Sequence, residues 1–159
     1  FDAVMIGSNA EKMVRSSSCP VLVLKDGDND FKVNNMVFAS SFATETFTPF
    51  LKLKPIIDLC DCEVHLLNVS TPSHFTPTEE AEGAMEYFAK ENNLKKYTIN
   101  TFNARDIEGG VTTFARRIET DVIAMETHGR TGIAHIISGS VTEDLVNHSP
   151  IPVLSVRIR

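Results

Sequence analysis

Gly129, a run of nine residues, and then Gly139-Ser140 have the types and spacing that could do chemistry. Glycine lets backbone N–H groups come close to an anion, and the start of a helix adds free donors and a favourable dipole. Ser140 and Thr142 would supply hydroxyls where a phosphate rests, and Arg130 a cation against its charge. Thr127, His128 and Val141 belong to the same segment, with His128 lining the pocket. The pattern predicts a cradle for a phosphate or another anion. Glu126 stands immediately before it. A carboxylate there repels a triphosphate by about a kcal/mol or more for close, partly screened charges.

Blander readings sit beside this one. Turn geometry alone also accounts for Gly129, Gly132 and Gly139, and Ser140 reads as a helix cap with or without a ligand. Ser41 has no His or Asp placed by sequence to activate it, so catalysis is not expected. His128, His135 and His148 lack the spacing of a helical ligand pair, and no metal site is expected. Cys60 and Cys62 read as small buried hydrophobes.

Composition narrows the partners. A net charge of -6 offers no basic face, so nucleic acid is not expected as a partner. No apolar run is long enough to cross a bilayer, so no membrane partner is expected. Three cysteines in a chain of 159 residues suit a reducing, cytoplasmic setting better than a disulfide framework.

The elements that must position these residues follow from pattern. "MVFAS", "EVHLLNV", "YTINTFN", "DVIAM" and "PVLSV" read as strands, the third as a half-exposed edge. Helical spacing appears from Thr44 to about Asp61, where Pro55 should kink it. Thr76-Pro77-Thr78-Glu79 reads as a capping box with proline at the first helical position, opening a helix to about Asn92. Further helices are expected near Ile107 to Glu119 and from Ser140, with a loop from Glu126 to Ser138 between strand and last helix. Alternating strands and helices imply an α/β fold: a five-stranded parallel sheet with helices on both faces, Rossmann-like. Ligands in such sheets sit beyond the carboxyl ends of the strands, where strand order reverses. Ser40 and Ser41, after the first strand of the domain, therefore join the candidate site.

The end of the chain also appears at its beginning. At an offset of 132 residues, Gly7, Ser8, Glu11, Val14, Ser17, Pro20, Val21 and Leu22 meet their identical counterparts, eight identities in nineteen ungapped positions. A period of that size is a domain. Residues 1–25 are thus expected to be the last helix and strand of a truncated first domain, 26–34 a linker, and 35–159 a complete domain. At the same offset the residue before Phe1 faces Gly132, a glycine loop of the kind that proteases nick.

With Gly129, nine residues, Gly139-Ser140 and the following "VTEDLVNHSPIPVLSV" in register, the chain resembles the universal stress protein family. The resemblance implies the adenine nucleotide alpha hydrolase-like fold and, in some members, two domains in tandem. It implies ATP or AMP as an optional ligand, no required cofactor, and non-enzymatic action in the stress response. It also implies pairing through the final strands, either as a homodimer or with the sister domain, so that residues 20–25 should dock beside residues 152–158. Two positions depart from the family pattern: Glu126 stands where the loop has its first glycine, and Ser41 where an acidic residue contacts the nucleoside. These departures make the expected site degenerate. A nucleotide-hydrolysing or nucleotidyl-transferring enzyme, or a structural half without ligand, are the alternatives.

Overall fold

The computed structural model describes residues 12–14, 16–24, 31–128 and 137–158, excepting the side chains of 128, 137–140 and 158. In chain order the strands are β1 (Val21–Val23), β2 (Asn35–Ala39), β3 (Glu63–Ser70), β4 (Tyr97–Asn103), β5 (Val122–His128) and β6 (Val153–Ile158). The helices are α1 (Phe47–Cys60), entered through a 3-10 turn at Thr44–Thr46, then α2 (Thr78–Glu91), α3 (Ile107–Arg117) and α4 (Ile137–His148). Residues 12–14 are also helical.

All six strands form one sheet in the order β1-β6-β5-β2-β3-β4. Strands β2 to β6 are mutually parallel, as expected of the domain. The sheet nevertheless has six strands, not five. The extra strand is β1, which lies antiparallel on β6 with Val21 opposite Ser155, Leu22 opposite Leu154 and Val23 opposite Val153. This is the docking expected of residues 20–25, and it covers an edge of β6 that would otherwise invite pairing with another chain.

Strand alternation divides the core into two layers. Met36, Phe38, Val64, Leu66, Val122, Ala124 and Leu154 face α1 and α2, where Phe50, Leu53, Met85 and Phe88 meet them. Phe38 and Phe50 pack edge to face with centroids 4.8 Å apart, and Phe50 and Phe88 do the same at 4.8 Å. Val37, Leu67, Ile123, Met125 and Val153 face the other way, onto Val111, Phe114 and Ala115 of α3 and Leu145 and Val146 of α4. Val14 joins this second layer, and Val21 and Val23 pack against it, so the N-terminal segment is held by side chains as well as by its ladder.

Local signals were not all obeyed. Helix α2 opens at Thr78 with Pro77 as its cap, and no side chain closes a capping box there. Proline's fixed φ fits either position, and Thr76 lies against the cleft described below instead. Helix α1 contains Pro55 and ends at Asp61, which takes the left-handed conformation. Strand β5 runs to His128 and α4 begins at Ile137, so Glu126 and Thr127 belong to a strand and Ser140 lies within the first turn of α4 rather than at its cap. Cys62 is buried but Cys60 is exposed, because the last turn of α1 leaves the core. Helix α3 is capped by Asp106, whose side chain accepts a hydrogen bond from the Gly109 N–H at 2.7 Å. A side chain at Gly110 would come within 2.5 Å of Val69, so glycine lets α3 lie directly on β3.

Removing residues 1–25 should uncover the β6 edge. A chain of residues 26–159 is expected to self-associate at micromolar concentration while the full chain does not, as read by sedimentation velocity. Two monomers with equal melting temperatures would show that β1 protects nothing.

Candidate functional site

The chain leaves β2 toward β3 and β4 on one side, then returns to β5 and β6 on the other. Strand order therefore reverses between β2 and β5, and a crevice opens beyond their carboxyl ends. A cleft of about 340 Å³ lies there. Ser40 and Ser41 line it from the end of β2, Asn68 and Val69 from β3, and Met125 and Glu126 from β5. Ile107 and Val111 of α3 and Val141 of α4 form its outer wall, while Glu45, His74 and Thr76 stand at its rim. The lining is mostly apolar, with a few convergent polar groups, as in clefts that take small molecules.

Glu126 is the polar centre of this arrangement. Alternation along β5 turns its side chain toward the α1 layer, as it does Val122 and Ala124. There its Oε1 accepts hydrogen bonds from the Ser40 hydroxyl at 2.8 Å and the Thr46 hydroxyl at 3.2 Å. The two hydroxyls lie 3.2 Å from each other, and Ser40 Oγ also accepts from the Phe42 N–H at 3.0 Å. Phe42 adopts a positive φ of 57°, which bends the chain so that the 3-10 turn carries Thr46 back under the carboxyl. Glu126 is only 5% exposed, and its Oε2 has no hydrogen-bond partner among the described residues. Burial raises its pKa from 4.5 to about 7; the Ser40 and Thr46 hydrogen bonds oppose the shift, and the charge of Glu45 adds to it.

The other expected residues fall out as follows. Ser40 is engaged with Glu126, while Ser41 is exposed and its hydroxyl accepts from the Ala43 N–H at 3.4 Å. Thr127 is buried, and its hydroxyl finds no partner among the described residues. Thr142 is fully buried and donates to the Glu126 carbonyl at 2.9 Å, which ties α4 to β5. Val141 lines the cleft. His128 ends β5, though its side chain lies outside the description, and Gly129 and Arg130 lie outside the described residues. Gly139 and Ser140 sit in the first turn of α4. Thr46, Glu45, Asn68 and His74 were not anticipated, because no motif joins them to Glu126: Thr46 reaches its carboxyl, and Glu45, Asn68 and His74 line the cleft, only through the packing of the strands.

Elsewhere, His65 donates or accepts at Thr98 Oγ1 over 2.7 Å on β3, and burial lowers its pKa. His148 of α4 faces Glu108 at 3.9 Å. Among the described residues no group of three His, Cys, Asp or Glu side chains is placed to hold a metal ion, and no helix is long and apolar enough to span a membrane.

Comparison with known proteins agrees with the fold. The model of the universal stress protein family matches residues 56–157, more than half of the chain. The chain belongs to the universal stress protein family. No curated protein sequence matches it. A universal stress protein from Archaeoglobus fulgidus superposes with a TM-score of 0.71 at 19% identity, over 96% of this chain and 55% of its own. This chain thus spans about half the length of that neighbour. A universal stress protein solved in complex with cAMP gives 0.63 at 15% identity, over 80% of this chain and 99% of its own. A universal stress protein from Archaeoglobus fulgidus in complex with dAMP gives 0.57 at 13% identity, over 79% and 98%. At such identities the superpositions speak for the fold: the parallel α/β sheet of universal stress proteins.

The buried carboxyl sets a pH dependence whose sign is fixed. The folded protein favours the protonated form, so stability present below pH 4.5 is lost as pH rises through about 7. Between pH 5 and 8 the chain should lose about 2 to 3 kcal/mol relative to a Glu126→Gln variant, read by urea denaturation. Parallel pH profiles for the two proteins would mean that Glu126 is ionised at no extra cost.

Proposed function

We propose that this chain is a ligand-binding, non-enzymatic universal stress protein whose cleft at the β2–β5 crossing takes an adenine nucleotide or related anion weakly. The observation that carries the reading is the cleft itself, open at the switch point of a parallel sheet and walled by apolar side chains. Gly139 in the first turn of α4 agrees with an anion resting at that helix start, and Gly129 and Arg130 stand ten and nine residues before it in sequence. Neighbours of the same fold solved with cAMP and dAMP support a nucleotide-type ligand. The buried carboxyl of Glu126 argues against firm binding of a triphosphate. Ser41 has no acid or base bonded to its hydroxyl among the described residues, which favours binding over catalysis.

The same reading takes residues 1–25 as the tail of a first domain, 26–34 as a linker and 35–159 as the complete domain, acting in the cytoplasm. Leu22 faces Leu154 across the β1–β6 ladder, and those two are also partners in the internal repeat at an offset of 132. Equivalent residues face each other in this way only about a two-fold axis, the geometry of a self-complementary pair. That supports pairing of final strands, between sister domains or between two copies of the domain.

Protein purified without nucleotide should release, on denaturation, less than one ATP or AMP per chain, and should release no phosphate from ATP with magnesium. Glu126→Gly is expected to tighten ATP binding by about tenfold, the worth of removing one close carboxylate. An unchanged dissociation constant by calorimetry would take Glu126 out of the anion's surroundings. Steady turnover of ATP would replace the binding reading with an enzymatic one.

A further inference from the structure

We propose that Glu126 is a specificity group that selects an uncharged, nucleoside-sized ligand through an O–H or N–H donor, and that it does so with the oxygen its own fold leaves unpaired. The inference rests on the cleft being the ligand site, and it names what that site prefers. Three observations lead to it.

The first is the division of labour between the two carboxyl oxygens. Oε1 is held by the hydroxyls of Ser40 and Thr46, from two different segments, so the side chain cannot turn without breaking both bonds. Oε2 is left buried with no partner among the described residues. A buried acceptor without a donor is costly, and a ligand that brings one recovers that cost.

The second is that another polar atom of the same lining is of the same kind. Asn68 is 7% exposed, lines the same cleft, and its Oδ1 also lacks a partner among the described residues. The polar end of the cleft thus presents acceptors and negative charge, which suit a donor and oppose a phosphate.

The third is the body of the cleft. Leu67, Val69, Val111, Met125 and Val141 offer an apolar slot of about 340 Å³, suited to a flat ring system bearing one or two donors. A ribose hydroxyl and an exocyclic amine share the chemistry required. Burial that raises the carboxyl pKa to about 7 means that it is ionised, and an acceptor alone, in mildly alkaline solution.

Calorimetry on the full chain at pH 8 tests this with adenosine, AMP, ATP, 2′,3′-dideoxyadenosine and inosine. Adenosine should bind about tenfold more tightly than ATP, and one analogue should bind about tenfold more weakly than adenosine. Loss with dideoxyadenosine identifies the donor as a hydroxyl, and loss with inosine as the amine. In Glu126→Ala the difference between adenosine and that analogue should vanish. Ser40 and Thr46, already 3.2 Å apart, can then bond to each other, so the variant should fold. Glu126→Met, which keeps the bulk and removes the acceptor, should behave alike and covers the case in which alanine unfolds the protein. Equal binding of adenosine and both analogues, or discrimination that survives in the variants, overturns the specificity role and leaves the nucleotide reading standing. If neither nucleosides nor nucleotides bind, both fall together.

Discussion

The pairing of β2 with β5 at the middle of the sheet is the constraint on which the rest of the structure depends. It is parallel, with Met36 opposite Val122 and Ala39 opposite Met125, and both of its faces are buried. The pair is clamped at its amino ends by Asp121, whose Oδ2 accepts from the Asn34 N–H at 2.7 Å and the Asn35 N–H at 2.9 Å. Thr120 adds a hydroxyl bond to the Asn35 carbonyl at 3.0 Å. Hydrogen bonds to a charged acceptor are among the stronger ones available to a backbone donor. Because β2 and β5 are far apart in sequence, this clamp sets which strands become neighbours at the crossing. The carboxyl ends of the same two strands then diverge into the cleft.

Packing on either face makes the crossing durable. Phe38 of β2 touches Phe42, Phe50 and Phe88, so one ring from the central strand is locked by α1, α2 and the turn that leads to the site. Phe42 in turn stands 5.2 Å from Phe88. The positive φ at Phe42 is therefore held by aromatic contacts, and it is that bend which delivers Thr46 to Glu126. Core and site share residues, and the position of a polar group in the cleft is a consequence of how apolar rings stack beneath it.

Glu126 itself departs from the usual economy of a core. A buried carboxyl costs free energy unless it is paired, and here the hydrogen bonds from Ser40 and Thr46 offset only part of that cost. Such residual cost, located beside an open cleft, is the kind of feature found at binding sites more often than in inert scaffolds. The cleft it borders is walled largely by apolar side chains, Val141 and Met125 among them, which lowers the local dielectric and strengthens polar interactions made there.

Much of this was written in the order of residues alone. Strand and helix identities followed from periodicity, since a period of two or of 3.6 buries a different set of side chains. The repeat at an offset of 132 foretold that β1 would resemble β6, and the family resemblance that it would lie beside it. The glycine spacing after β5 marked the end of the sheet at which to look, and Glu126 was legible as the residue that disturbs it. The helix starts were read less well. Thr76 and Ser140 satisfy a capping pattern that competing contacts and an earlier helix start override. What the tertiary structure alone decided is the company Glu126 keeps. Ser40 lies 86 residues from it and Thr46 lies 80, and no local signal pairs residues so far apart. Strand alternation says that Glu126 must face one layer or the other. Only the packed order of six strands says which hydroxyls wait for it there, and which of its oxygens is left for a ligand.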